Sequence, residues 1–336
     1  MEDSQAALEI RKKKKRKCLF LQNKCLFQMA EDREVLREVW EGKIPVCIRL
    51  AQDEVDTLKQ PEPYLMMVPR LTYLPLVIDK VKKHFSPYVR DTEGDMWLEA
   101  DNGQPLKWSV DEWLKPSIPD IHETGSNPTL DTLFPSTHGT GHDNHAPVTS
   151  WCSRHYPMGL LFDLMKAEYP CELIARFKNY PEDKMFLKPN KAAVESHFIY
   201  ALKEADTLKH RKQIVGNMQK RDTNQLWLGF CNHKFDQFWA VNKLLMDHPP
   251  GQTFKAIPFR IYRDLQEPFL QRLVTPQLPT GEYKTLSHLL EECLGSDQYI
   301  VVTHGIDLSP NTPLQWLSEH FSFPDNFLHL CVFPKS

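Results

Sequence analysis

Ile257-Pro258-Phe259-Arg260-Ile261-Tyr262 repeats, nearly position for position, the stretch Ile44-Pro45-Val46-Cys47-Ile48-Arg49. In both, apolar residues alternate behind a proline near the start, the pattern of a β-strand whose proline sits where a ladder bond is not needed. Beyond the first copy, a polar turn and Tyr64-Leu65-Met66-Met67-Val68 predict a second strand and a hairpin. Leu74 to Phe85 predicts a helix with Leu74, Val77, Ile78, Val81 and Phe85 on one face. Met96–Glu99 and Pro105–Trp108 read as short strands around Asp101-Asn102-Gly103, since Asn-Gly supplies the positive φ angles of a tight turn. Tyr156–Met165 then predicts a helix and Glu172–Phe177 a strand.

Beyond the second copy the order recurs. Pro268–Val274 reads as the partner strand, Leu286–Cys293 as the helix, and Tyr299–His304 as a strand. Pro313-Leu314-Gln315-Trp316 matches Pro105-Leu106-Lys107-Trp108, and Phe327–Phe333 is the last strand. The separations from Pro45 to Pro105 and from Pro258 to Pro313 are nearly equal. A hairpin, a crossing helix and returning strands make a small mixed sheet with a helix on one face. The predicted fold class is therefore α+β: two ubiquitin-like (β-grasp) domains flanking a helix-rich domain.

The stretch between the two copies is helical. Val194 to His210 places Val194, Phe198, Leu202, Ala205 and Leu208 on one face, with Glu195, Lys203 and Asp206 off it. His210–Gly229 reads as a second helix, with Ile214, Met218 and Leu226 inward. His233–Met246 reads as a third, its Phe235, Phe238, Trp239, Asn242 and Leu245 taken as core. His248-Pro249-Pro250-Gly251 ends the block. The predicted boundaries are a disordered basic tail over 1–28, which holds the run Arg11–Lys17, and an N-terminal helix with the first ubiquitin-like domain over 29–178. That domain carries a disordered insert at 109–154. The helix-rich domain follows over 179–248 and the second ubiquitin-like domain over 249–336.

With 41% hydrophobic and 25% charged residues and a net charge of −3, the chain reads as soluble and globular, not as a dedicated nucleic-acid binder. Its eight cysteines form no C-x-x-C pair, which suits a reducing compartment. No run approaches the roughly 18 apolar residues of a membrane span. His138, His142 and His145, with Asp143, have loose zinc spacing, but the Gly, Thr and Asn around them offer no rigid scaffold, so no metal is expected. No G-x-S-x-G word and no phosphate-cradling glycine loop occurs, so neither a cofactor nor a conventional active site is expected.

Four longer words now align. They are Lys203-Glu204-Ala205-Asp206-Thr207-Leu208-Lys209-His210, Phe235-Asp236-Gln237-Phe238-Trp239-Ala240-Val241-Asn242, Ile257–Tyr262, and Thr312–His320 continuing through Phe323–His329. In this order they resemble the autophagy protein 5 family over roughly Met29–Trp108 and Tyr156 to the end. The basic N-terminal stretch and Ser109–Arg154 depart from the family pattern. The resemblance implies that Lys203 forms an isopeptide bond with the C-terminal glycine of the ubiquitin-like autophagy protein 12. It also implies binding to the N-terminal helix of the coiled-coil autophagy protein 16. The assembly, not the chain alone, would then act like a ligase. It would promote transfer of autophagy protein 8 from the conjugating enzyme autophagy protein 3 to phosphatidylethanolamine, in the cytoplasm and at preautophagosomal membranes.

From the residues themselves, an acceptor lysine must present a reachable amine that loses a proton as it attacks, and a free lysine titrates near ~10.4. Lys209, His210, Arg211 and Lys212 would favour a neutral amine if close to Lys203. Asp206, at i+3, would hold it charged and in place. The rival reading is a non-covalent scaffold whose tandem ubiquitin-like domains bind partners without attachment.

Overall fold

The computed structural model describes residues 33–90, 95–100, 103, 105–106, 109–110, 154–181, 190–210, 214–248, 252–265 and 267–335, with backbone alone at 109–110 and 154–155. The expected tail over 1–28 and the interior of the expected insert, with His138, His142, Asp143 and His145, lie outside these residues, as do Arg211 and Lys212. The described residues fall into two compact units. One draws on residues 40–112 and 152–197, the other on residues before 40 and on 198–336.

Along the chain, α1 (Arg33–Trp40) comes first and packs Val35 and Val39 into the core of the second unit. The first unit then runs β1 (Lys43–Leu50), β2 (Tyr64–Pro69), α2 (Pro75–Phe85), β3 (Trp97–Ala100), β4 (Ser109–Val110), β5 (Arg154–His155), α3 (Met158–Met165) and β6 (Cys171–Arg176). Its main sheet has the order β2-β1-β6-β3. The hairpin β1–β2 is antiparallel, β1–β6 is parallel, and β6–β3 is antiparallel. The Arg70 N–H donates to the Gly42 carbonyl at 2.9 Å, which fixes the phase of the hairpin. Alternation then makes Ile44–Val68, Val46–Met66 and Ile48–Tyr64 the bonded pairs. Pro45 and Pro69 both fall at unbonded positions, where a missing N–H costs nothing. Val77, Ile78, Val81 and Phe85 of α2 are buried against the sheet, and Lys80 and Lys83 are exposed. One buried ion pair crosses this interior, Arg70 with Asp163 of α3.

The second unit contains most of α4 (Lys191–His210), then α5 (Lys220–Cys231), α6 (Phe235–Met246), β7 (Phe259–Tyr262), α7 (Leu286–Leu294), β8 (Tyr299–Thr303), β9 (Ile306–Asp307), α8 (Leu314–His320) and β10 (Leu328–Pro334). Its sheet order is β7-β10-β8-β9, with β7–β10 parallel and β10–β8 antiparallel. α7 opens on a Thr285–His288 capping box and stops at Gly295, whose φ of 72° suits glycine. The architecture is the predicted α+β one, two β-grasp sheets with a helix-rich region between them in the chain.

Four expectations need correction. His210–Gly229 is not one helix. A single 3-10 turn at Val215–Asn217 is followed by extended backbone at Met218 and Gln219, and α5 starts only at Lys220. Gly216 and Asn217 are poor helix formers, and the Asp206 carboxylate takes the Val215 N–H at 2.8 Å. Pro268–Val274 is not a full strand. Leu270 and Ile261 exchange two bonds at 2.9 Å, and the Ile257 N–H reaches the Val274 carbonyl at 2.9 Å. Pro268 has no N–H to extend that ladder. The match of Pro313-Leu314 to Pro105-Leu106 also fails. Pro105 bridges Glu99 at the flank of β3, whereas Pro313 bridges Thr285 and starts α8. Its counterpart is Pro157, which bridges Tyr73 and starts α3. Finally, the expected loop from Ser109 to Arg154 begins and ends in paired strands, Ser109 with His155 and Val110 with Arg154.

Candidate functional site

α4 is buried on more of its circumference than its apolar stripe predicts. Val194, Phe198, Leu202, Ala205 and Leu208 are at most 2% exposed. Fully burying the larger of these contributes roughly 1.5–3 kcal/mol each. Ala201, Glu204, Asp206 and Lys209 are buried as well. What stays open is a narrow strip including Ser196, Ile199, Tyr200, Lys203, Thr207 and His210, at the three- and four-residue steps of one helix face. Lys203 stands in the middle of it, half-buried. Its ammonium has no hydrogen bond or ion pair with any described residue.

The helix turn beneath Lys203 is fixed from three directions. The Glu204 carboxylate, 1% exposed, accepts from Arg260 Nη2 at 3.0 Å and from Gln271 Nε2 at 2.7 Å. Arg260 continues to Asp325 at 3.8 Å and lies over the Phe327 ring at 3.8 Å. Asp325 takes a bond from His329 Nε2 at 2.9 Å, and His329 Nδ1 meets the Tyr262 hydroxyl at 2.8 Å. Burial would raise the Asp325 carboxyl, but His329, Arg260 and the Phe327 N–H hold it below the usual carboxylate range. At the helix end, the carbonyls of Leu208 and Lys209 accept from Ala256 at 3.1 Å and Lys255 at 2.8 Å, so the orphan groups of the last turn are met by chain leading into β7. Behind Lys203, Asp206 holds Val215.

Asp206 is therefore not the partner of Lys203 that its i+3 spacing suggests. It is turned inward, where burial lifts its carboxyl to about 6 despite the pull of the Val215 and Ile214 N–H groups and of Lys209. Lys209 is buried too. Its Nζ lies 3.0 Å from Met246 Sδ and 4.7 Å from the centre of the Phe254 ring, and burial pushes it down to about 7 against the pull of Glu319, Asp325 and Asp206. His210 Nε2 lies 3.0 Å from the Leu245 carbonyl. Neither basic group turns toward Lys203. Sequence reading missed Glu204 and Lys209 because both look solvated, yet spacing marks them: Glu204 falls three residues past Ala201 and four before Leu208, and Lys209 four past Ala205.

Phe235 and Phe238 are core, while Trp239 is only half-buried. It lines a cavity of about 680 Å³ with Leu36, Leu244, Met246, Asp247 and Glu319. Burial lifts the Cys171 and Cys293 thiols to about 11, which removes them as nucleophiles. Among the described residues no group of three His, Cys, Asp or Glu side chains could hold a metal, and no helix is long and apolar enough to cross a membrane. The arrangement at Lys203 offers one chemistry: an open primary amine on a rigid support.

Models of the autophagy protein ATG5 match three stretches: the UblA domain over residues 39–111, the alpha-helical bundle region over 191–248, and the UblB domain over 256–332. The chain is 42% identical over 313 residues to autophagy protein 5 of Drosophila melanogaster, spanning 90% of this chain and 98% of that one. It is 30% identical over 323 residues to autophagy-related protein 5 of Caenorhabditis elegans, with spans of 90% and 98%. Among solved structures, the crystal structure of Kluyveromyces marxianus Atg5 superposes with a TM-score of 0.62 at 18% identity, covering 90% of this chain and all of that one. At that identity the likeness is one of fold.

Proposed function

The chain belongs to the autophagy protein 5 family, with its ubiquitin-like domains and a role in autophagy, and from that premise we propose that Lys203 is the acceptor for the ubiquitin-like autophagy protein 12. The carrying observation is the open amine, unpaired among the described residues, on a helix turn locked by Glu204, Asp206 and the Leu208 and Lys209 carbonyls. In the reaction, the Lys203 amine attacks the thioester carbonyl of the partner's C-terminal glycine. The C–N bond forms, the C–S bond breaks, the thiolate leaves on the conjugating enzyme, and the amine's proton passes to solvent. A rigid support favours this step because the nucleophile's position is set before the encounter.

The chain contributes an acceptor and a scaffold and is not an enzyme alone. The conjugate binds the helix of the coiled-coil autophagy protein 16. It acts like a ligase with the conjugating enzyme autophagy protein 3, promoting lipidation of autophagy protein 8 at preautophagosomal membranes that it joins peripherally from the cytoplasm. A denaturing gel of the cellular protein beside Lys203→Arg tests the acceptor role. The slower-migrating adduct is expected to vanish in the variant, and an adduct of unchanged yield would remove Lys203 from the account. Full lipidation activity from the unconjugated variant would favour the non-covalent scaffold.

A further inference from the structure

We propose that the outer edge of β2 is a docking strand for an extended segment of another protein, one with apolar side chains at alternate positions and acidic residues at its ends. β2 is the last strand of its sheet, with β1 as its only strand neighbour among the described residues. The same phase that bonds Val46 to Met66 turns the N–H and C=O groups of Leu65 and Met67 away from β1, to the open side. The side chains of these two residues are 71% and 56% exposed. Native edges are commonly blunted by charge, proline or a bulge; Pro63 and Pro69 bracket this edge, and the window Leu65–Met67 between them carries none of the three. Free backbone groups two residues apart, roughly 6.8 Å, match those of another strand and not those of a helix, whose groups are bonded internally.

The rim sets the charge of the occupant. Lys80 and His84 lie one turn apart on α2, and the His84 ring stacks on Tyr64 of β2 at 4.5 Å. Lys83 is exposed beside them; the acids nearby in the chain are Glu62, paired with Lys59 at 3.8 Å, and the exposed Asp79, which leaves the rim with an excess of basic groups. Pairing of two copies edge to edge would bring two such basic rims together, so an acidic-ended foreign strand suits the edge better.

The probe is a fluorescein-labelled peptide, Asp-Glu-Val-Ile-Val-Ile-Asp-Glu, titrated with the full chain and read by anisotropy. Saturable binding is expected, weakened at least fivefold by Met67→Glu and by Lys80→Glu, both exposed sites whose variants should melt with the wild type. It should be lost when alternate peptide nitrogens are N-methylated on the strand-pairing side. Absence of binding, equal binding of the N-methylated peptide, or indifference to Met67→Glu would overturn the proposal. So would sedimentation showing a dimer that Met67→Glu dissolves, because the edge would then belong to a second copy.

Discussion

The two ubiquitin-like halves share one ladder and differ in where their buried charge goes. β2-β1-β6-β3 corresponds to Leu270-β7-β10-β8, with the same parallel central pair and the same antiparallel flank. α2 corresponds to α7 and α3 to α8. In the first half the buried pair Arg70–Asp163 joins the end of β2 to α3, so it closes within the domain. In the second half Arg260 of β7 reaches Glu204 on α4, the helix of Lys203. One fold thus holds itself together in one copy, and in the other it holds the helix that carries the open amine.

Breaking the outward connection should have the largest effect. Glu204→Ala leaves Arg260 buried without its nearest carboxylate, and losing one partner of a buried pair costs about 3–5 kcal/mol. Urea unfolding should show a loss of that size, and Asp163→Ala should cost about the same in the first half. Only Glu204→Ala should also slow adduct formation at Lys203, measured at a temperature where both variants stay folded. Equal rates in the two variants would erase the distinction between the halves.

Lys209 sharpens the comparison, since the second half also buries a cation with no carboxylate in hydrogen-bond contact. Its value near 7, against an ordinary 10.5, means that the folded chain prefers the neutral amine. The cost of its charge is fully present below pH 7 and falls away as pH rises toward 10.5. Lys209→Met should therefore stabilise the protein at and below pH 7, by roughly 1–4 kcal/mol. The advantage should shrink as thermal unfolding is repeated at rising pH within that window. A constant advantage across pH would contradict the buried placement.

A smaller effect is expected where the halves start their second helix. Gly159, two residues past Pro157, donates its N–H to the Arg70 carbonyl at 2.7 Å, and a methyl there would sit 2.8 Å from that oxygen. Gln315 holds the same place past Pro313. Gly159→Ala should cost about 1–3 kcal/mol by urea unfolding, through forced displacement of backbone. The smallest effect falls on the surface. Arg33 and Arg37 meet Asp236 at 2.6 and 3.0 Å, but Arg33 and Asp236 are largely in water and Arg37 is partly so. Asp236→Ala should leave the urea midpoint indistinguishable from that of the unaltered chain, since exposed pairs contribute little.

Much of this was legible in the residues. The Ile-Pro word, two helices of apolar 3–4 spacing and the closing strands specify the β-grasp order twice, because alternation and helical period each report one buried face. The second-helix correspondence was not legible. Pro105-Leu106-Lys107-Trp108 is the better local match to Pro313-Leu314-Gln315-Trp316, and only the long-range pairing of Pro157 to Tyr73 and of Pro313 to Thr285 identifies the true counterpart. At the candidate site, Lys203 is singled out by a resemblance carried on a long word, while the residues that support its helix turn were hidden. Glu204 and Lys209 are charged residues at buried spacing, and their partners Arg260, Gln271 and Met246 lie far along the chain.

The most direct test is to locate the branch. The purified chain, charged with autophagy protein 12 by its conjugating enzymes, is digested with trypsin and the branched peptide is sequenced by mass spectrometry. A single branch is expected, carrying the C-terminal glycine of autophagy protein 12 on Lys203. A branch on another lysine of the helical region, such as Lys220 or Lys243, would contradict it.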